Sequence, residues 1–97
     1  MKYTIGESYI DFSEEEEGRL CIDMLYVSPK ERGNRLGYRL LDRVKEYARR
    51  NGYESIGLYA YPQEENGMGD DALIEYYEGY GFSSISGDDN ALMEMDV

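Results

Sequence analysis

The residues between positions 27 and 37 combine types that bind phosphate groups. An apolar run ends at Pro29, Gly33 and Gly37 allow close approach of the backbone, and Leu36 begins an amphipathic stretch. Backbone N–H groups at the start of a helix, together with the positive end of the helix dipole, attract phosphate oxygens. The segment therefore predicts an anion-binding loop. The alternative is a plain connecting turn in which Gly33 supplies backbone freedom.

The distribution of charge supports an anion-binding segment on an otherwise acidic protein. Residues 30–50 contain eight of the ten basic residues and three acidic ones, a net charge of +5. The rest of the chain carries −16, within a total of −11. A nucleic-acid-binding domain is usually basic overall, so that class is disfavoured, whereas a cationic partner suits the acidic body. The run of glutamates at 14–17 is typical of a solvated loop or hairpin tip.

The scarcity of histidine and cysteine excludes several common kinds of site. With no His and one Cys, the chain can form neither a zinc site, nor a histidine-based triad, nor an internal disulfide. Cys21 is therefore interpreted as a small strand residue. The sequence has no apolar run of about 18 residues and no signal-peptide pattern at its start, so we expect a cytoplasmic protein without membrane contact.

The elements that must position the loop form a single domain of 97 residues with a mixed sheet, of class α/β (α+β). An apolar stripe from Leu36 to Ala48 predicts a helix over 34–51, capped by Asn34. The unit spanning 20–61 should be a right-handed parallel crossover. Stretches rich in Tyr, Ile, Leu and Val predict strands over 3–12, 19–27, 54–61, 82–86 and 91–97, and a second helix is predicted over 71–79.

The segment LYVSPKERGNRLGYRLLDRV resembles motif A of the GNAT superfamily of acyl-CoA N-acyltransferases. That motif ends a strand, runs through Arg-Gly-x-Gly-x-Gly and enters a helix. The family's second signature, Tyr-Glu-x-x-Gly-Phe, is matched by residues 77–82, about 45 residues further on. The resemblance covers roughly residues 19–86. It implies a GNAT-like sheet flanked by helices, truncated at the N-terminus, where typical members have a strand and two helices.

The resemblance also implies that the chain binds acetyl-CoA and uses no metal. Main-chain groups that pair with pantetheine in the family correspond to Leu25, Tyr26 and Val27. Loop amides that bind the pyrophosphate correspond to Arg32, Gly33, Asn34, Arg35, Leu36, Gly37 and Tyr38. An Asn of the family on the cofactor side corresponds to Asp70. Arg35 also departs from the motif, which has glycine there, and its guanidinium is a candidate phosphate contact.

Two residues correspond to catalytic positions of the family. The tyrosine of the second motif often protonates the leaving thiolate, and this role corresponds to Tyr77. Asp23 lies on the central strand where several members carry Glu, and it is a candidate for taking the ammonium proton. Without the motif, Tyr77 would be interpreted as a core tyrosine and Asp23 as a surface carboxylate. Glu75 and Glu78 are interpreted as solvated charges.

These patterns favour an N-acetyltransferase that moves an acetyl group from acetyl-CoA to a primary amine by direct attack. The acidic body favours a cationic acceptor: a polyamine, a lysine-bearing protein or an amino sugar. The alternative is a non-catalytic acidic interaction protein on a truncated GNAT scaffold, which would bind a basic protein. Arg35 and Asp70 favour that alternative. A second copy of the chain, in a homodimer, is one way to complete the acceptor pocket.

Overall fold

The computed structural model describes residues 1–16, 18–31, 33, 35–60, 70–85 and 92–97. Within these residues, six strands form one mixed sheet of order β1-β2-β3-β4-β6-β5, in which β3 and β4 pair in parallel and the other neighbours pair antiparallel. The predicted mixed α/β sheet is thus confirmed. The elements are β1 (Lys2–Ile5), β2 (Ser8–Glu16), β3 (Arg19–Tyr26), a 3-10 turn (Pro29–Glu31), α1 (Leu36–Arg50), β4 (Ser55–Tyr59), α2 (Asp70–Tyr80), β5 (Ser83–Ser84) and β6 (Leu92–Asp96).

The stretch predicted as one strand over 3–12 is in fact a hairpin of β1 and β2. Gly6 adopts a left-handed φ of 59°, and Ile5 pairs with Ser8 across the two-residue turn. Glycine enters this backbone region without the steric cost that a Cβ brings, and such turns match the twist of paired strands. The single-strand prediction is wrong because it followed the overall content of Tyr and Ile, whereas Gly6 and Glu7 interrupt the apolar positions. Strands β2 and β3 pair antiparallel as a hairpin, and glutamates 14–16 are exposed near its tip, which agrees with the expected solvated loop or hairpin tip.

Helix α1 follows the predicted apolar stripe but begins at Leu36 rather than at position 34. The buried residues of α1 are Leu36, Gly37, Leu40, Leu41, Val44 and Ala48. The opposite side of the helix exposes Arg39 and Arg43. The N-cap is Arg35, and the predicted cap, Asn34, lies outside the described residues.

The core lies between the two helices and one face of the sheet. Apolar side chains from β2, β3, β4 and β6 meet those of both helices in one continuous cluster. Parallel pairing of β3 with β4 confirms the predicted strand–helix–strand unit. The edge strand β5 is shorter than predicted, and the expected turn at 87–90 lies outside the described residues. Within the described ranges, neither helix is long and apolar enough to cross a membrane.

The sheet face away from the helices carries charge at its centre. The guanidinium of Arg19 lies against Gly57, where an added Cβ would overlap it. Its Nη1 atom lies 3.1 Å from a carboxylate oxygen of Glu94, and its Nε atom lies 3.5 Å from Glu15. This cross-strand network shows that the second face is not an apolar packing surface.

Candidate functional site

The loop between β3 and α1 passes through two left-handed residues before the helix starts. Gly33 has a φ of 91° and Arg35 has a φ of 56°. Arg35 is the one described residue other than glycine with a positive φ, a conformation that costs an L-residue about 1–2 kcal/mol. It stands where the resemblance expects glycine. The backbone at position 35 therefore adopts the left-handed conformation that glycine favours, although the residue is an arginine and the conformation is strained.

The first turn of α1 contains no anion of its own. Arg35 makes no side-chain capping bond, and the turn has no Asp or Glu. The main-chain N–H of Arg39 donates to the carbonyl of Arg35 at 3.0 Å, so the N–H groups of residues 36–38 precede the helical ladder. Uncapped N–H groups and the helix dipole together favour an oxyanion at this position. Of the predicted loop, Arg32 and Asn34 lie outside the described residues.

A buried polar cluster fixes the loop that leads into α1. The main-chain N–H of Ser28 donates to Ser8 Oγ at 2.9 Å, and Ser8 Oγ donates to Glu31 Oε1 at 2.7 Å. The same Glu31 oxygen accepts from the main-chain N–H of Glu7 at 3.0 Å. Ser8 and Ser28 are 0% and 3% exposed, so these bonds satisfy groups that would be costly to bury unpaired. Sequence analysis missed this cluster because its members carry no periodic signal.

Strand β3 contains a β-bulge at Asp23. Successive residues of β2 pair with Met24 and then Ile22, so Asp23 is an extra residue in the ladder. The bulge changes the alternation of the strand, because Ile22 and Leu25, three positions apart, are both buried. Bulges of this kind often lie next to active sites, where they redirect a side chain.

The parallel pairing of β3 with β4 stops, within the described residues, at this bulge. Its last pair is Ile22 with Leu58, whereas β3 continues to Tyr26 in register with β2. The predicted pantetheine residues Leu25, Tyr26 and Val27 therefore follow the point where the described parallel register ends. In open α/β sheets, ligands bind beyond the carboxyl ends of the strands, which is where these residues lie.

Asp23 and Tyr77 lie on opposite sides of the sheet. Asp23 is exposed and accepts a hydrogen bond from Ser13 Oγ at 2.9 Å. Tyr77 belongs to the core on the helix side. The structure therefore does not bring the two predicted catalytic residues into contact.

The side chain of Tyr77 is held tightly in the core. It is 6% exposed, and its ring packs edge-on against Phe82 and Tyr76, with centroid separations of 5.7 and 5.4 Å. Burial raises the pKa of the Tyr77 phenol well above its usual range, with a smaller contribution from Tyr76. The hydroxyl therefore keeps its proton at neutral pH, as a proton donor must.

Helices α1 and α2 meet through three tyrosines. The ring of Tyr38 lies 4.9 Å from that of Tyr76 and 5.1 Å from that of Tyr80. Tyr38 Oη donates to the main-chain oxygen of Tyr76 at 2.8 Å, and Tyr80 Oη donates to Asp42 Oδ1 at 2.6 Å. The cluster holds the second predicted motif beside the start of α1, so the two motifs share one region of the fold.

Three further predicted positions have simpler environments. Asp70 is the first residue of α2, and its side chain lies outside what the structure describes. Glu75 and Glu78 are exposed, which agrees with solvated charges. Burial and the neighbouring Glu15 raise the pKa of the Cys21 thiol to about 11. Cys21 is therefore protonated near neutral pH and is a poor nucleophile.

A family model described as "Acetyltransferase (GNAT) family" matches residues 5–82. The chain belongs to the GNAT family. The matched range contains both the loop before α1 and the Tyr-Glu-x-x-Gly-Phe signature of α2. The GNAT fold supports acetyltransferase activity in general. No curated protein matches this GNAT chain.

Solved structures show the same GNAT fold. The anti-CRISPR protein AcrVA5 has 40% identity and a TM-score of 0.81, with 97% of this chain and 95% of that chain covered. The PaiA N-acetyltransferase from Thermoplasma acidophilum, in complex with coenzyme A, has 19% identity, a TM-score of 0.73 and coverages of 93% and 53%. Tetrahymena GCN5 has 20% identity, a TM-score of 0.72 and coverages of 93% and 59%. The chain thus spans little more than half of these last two proteins.

Proposed function

We propose that this GNAT protein transfers the acetyl group of acetyl-CoA to a primary amine. The observation that carries the proposal is the start of α1, where left-handed Gly33 and Arg35 precede a helix with no capping side chain and no acidic first turn. Family membership and the coenzyme A complex of PaiA on the same fold support it.

The residues at this site fit a pantetheine chain joined to a pyrophosphate. Gly37 adds no side chain of its own to the first turn of α1, where the hydroxyl of a neighbouring tyrosine already lies within overlap distance of an added Cβ. The amides of residues 36–38 would hold the pyrophosphate, and the exposed Arg35 would add positive charge. Main-chain groups of residues 25–27 would pair with pantetheine. Arg32, Asn34 and Asp70 complete the proposed set.

Bound acetyl-CoA supplies a thioester carbonyl to the acceptor amine. In direct attack, a bond forms between the amine nitrogen and the carbonyl carbon, and the carbon–sulfur bond breaks. Asp23 would take the proton that the ammonium group must lose, directly or through water, and Tyr77 would give its phenolic proton to the departing sulfur. The protein contributes orientation and proton transfer and needs no nucleophile of its own.

The acceptor that we propose is a cationic amine on a protein. Outside residues 30–50 the chain carries a net charge of −16. Exposed or half-exposed carboxylates of Glu15, Asp23 and Glu94 lie on the sheet face away from the helices. A negative surface attracts cations and raises their rate of encounter. The name of the 40% identical anti-CRISPR protein favours, among the three acceptor classes, a lysine of a protein from a CRISPR system.

Acetyl transfer can be separated from mere binding by one assay. The protein is incubated with acetyl-CoA and, separately, a lysine-rich peptide, spermidine and glucosamine. Release of free thiol and the mass of each amine are followed. We expect thiol release matched by acetylation of the peptide. Saturable acetyl-CoA binding without release for any of the three amines would overturn the proposal. That outcome would instead favour an interaction protein in which the strained Arg35 has replaced a glycine of the pyrophosphate loop.

A further inference from the structure

The side chain of Tyr76 reaches the start of α1. A Cβ placed on Gly37 would overlap the Tyr76 hydroxyl oxygen, and it would lie 3.1 Å from Tyr76 Cζ and 3.4 Å from Val27 Cγ2. The phenol therefore lies over the first turn of α1, beside the end of β3. Gly37 is required here to leave room for this side chain as well as for close approach of a ligand.

The position of the Tyr76 ring is fixed by its neighbours. Tyr38 packs against it at 4.9 Å and donates a hydrogen bond to its main-chain oxygen, and Tyr77 packs edge-on at 5.4 Å. Tyr38 and Tyr77 thus pack against the ring of Tyr76 and leave its hydroxyl uncovered by these contacts. The hydroxyl at its tip lies against Gly37, in the first turn of α1.

The three tyrosines of this cluster differ in what their hydroxyls bind. Tyr38 and Tyr80 each donate to an oxygen of the chain, the Tyr76 carbonyl and the Asp42 carboxylate. Within the described residues, the Tyr76 hydroxyl has no such acceptor. Burial, with a smaller contribution from Tyr38, raises the pKa of Tyr76 to about 12. At neutral pH the group is thus a protonated donor to which a bound ligand can offer an acceptor.

We propose that Tyr76 is a cofactor-binding residue whose hydroxyl donates to the pyrophosphate of CoA at the start of α1. This inference rests on the proposed acetyl-CoA site. The first turn of α1 offers N–H donors and no carboxylate. The ligand group that suits these donors is therefore an oxyanion. A phosphate oxygen there would accept from the α1 amides and from the phenol together. If the α1 amides and the phenol share one anion, this explains why position 76, which the family signature does not specify, is a tyrosine.

Titration calorimetry with CoA tests the proposal on three proteins: wild type, Tyr76→Phe and Tyr80→Phe. Tyr76→Phe removes one oxygen and keeps the packed ring, so the protein should fold, which its melting temperature checks. We expect the dissociation constant to rise at least about tenfold, the scale of a hydrogen bond to a charged group. Tyr80→Phe loses a hydroxyl of the same cluster that is bonded to Asp42, and it should bind CoA within about twofold of wild type.

Phosphorus NMR of the bound CoA distinguishes contact from an indirect effect. In Tyr76→Phe, the pyrophosphate resonances should move relative to wild type, while the 3′-phosphate resonance should stay in place. An unchanged dissociation constant in folded Tyr76→Phe overturns the inference and leaves the proposed function intact. A raised constant with unmoved pyrophosphate resonances also overturns it. Absence of CoA binding by the wild type would remove the proposed function and this inference together.

Discussion

The carboxylate of Glu31 accepts a 2.7 Å hydrogen bond from the hydroxyl of Ser8. This contact joins the 3-10 turn before α1 to the start of β2. Ser8 also accepts from the main-chain N–H of Ser28, so one buried hydroxyl links both ends of the turn. The shape of the proposed pyrophosphate loop therefore depends on the β1–β2 hairpin as well as on its own sequence.

We predict that Glu31→Ala lowers the free energy of unfolding by about 1–3 kcal/mol, because it leaves the buried Ser8 hydroxyl without its acceptor. Urea denaturation measures the change. Glu46→Ala is the matched control, since its carboxylate lies on the exposed side of α1 and pairs with Arg50 at 2.6 Å. This control should cost about 0.5 kcal/mol or less. Equal losses in the two variants would show that the Glu31 cluster does not stabilise the fold.

Arg35→Gly should stabilise the protein despite the flexibility that glycine adds to the unfolded chain. Relief of the left-handed conformation is worth about 1–2 kcal/mol, and the added entropy offsets roughly half of it. The comparison variant is Gly33→Ala in the same loop. Gly33 has a φ of 91° and nothing within 4 Å of an added Cβ, so the loss expected there is purely backbone strain. The melting temperature should thus rise in Arg35→Gly and fall in Gly33→Ala. A higher melting temperature in Gly33→Ala would contradict the argument.

Much of the fold could be predicted from local patterns, and α1 shows why. Its apolar stripe repeats at helical spacing: Leu36, Leu40, Leu41, Val44 and Ala48 are buried as predicted, and Tyr47 is partly buried. The turn at Gly6 was missed because the prediction followed the Tyr and Ile content of residues 3–12 and not the interruption at Gly6 and Glu7. The place of Tyr76 could not be predicted, since it depends on how α2 packs beside α1. Helical periodicity gives the angle between Tyr76 and Tyr77 on one helix but not the neighbour that each one meets.

Tyr77→Phe should lower kcat at least about tenfold while CoA affinity is retained. The change removes the proton donor proposed for the departing sulfur and leaves the packed ring in place. Rates are measured at saturating acetyl-CoA, with Tyr80→Phe as the control, since its hydroxyl is bonded to Asp42 and its kcat should stay near the wild-type value. Because burial raises the pKa of Tyr77 above its usual range, its deprotonation should not limit the rate between about pH 7 and 9. If folded Tyr77→Phe keeps full kcat while the chemical step limits the rate, Tyr77 is not the proton donor, and water protonates the departing sulfur.

The acidic body predicts a salt-dependent preference for cationic acceptors. The electrostatic screening length falls to about 10 Å at 0.1 M salt. Attraction of cations by the residues outside 30–50, whose net charge is −16, therefore weakens as salt is added. kcat/KM for a lysine-rich peptide should fall between low and high salt. A neutral hydroxylated amine of low pKa serves as the control and should change less. Equal salt dependence for both acceptors would show that charge does not guide the acceptor.

Titration of acetyl-CoA into the protein tests the central claim most directly, with Arg35→Glu and Arg43→Glu as a charge-matched pair. Both arginines are exposed on or beside α1, but only Arg35 lies at its N-cap. We predict one site per chain in the wild type and a melting temperature that rises with ligand, by about 2.7 kcal/mol of stability at a hundredfold excess over Kd. Arg35→Glu should weaken binding at least about tenfold, because it puts a carboxylate where the phosphate would lie, and Arg43→Glu should weaken it less than about threefold. No heat and no thermal shift with millimolar acetyl-CoA, or equal weakening in both variants, would contradict a cofactor site at the start of α1.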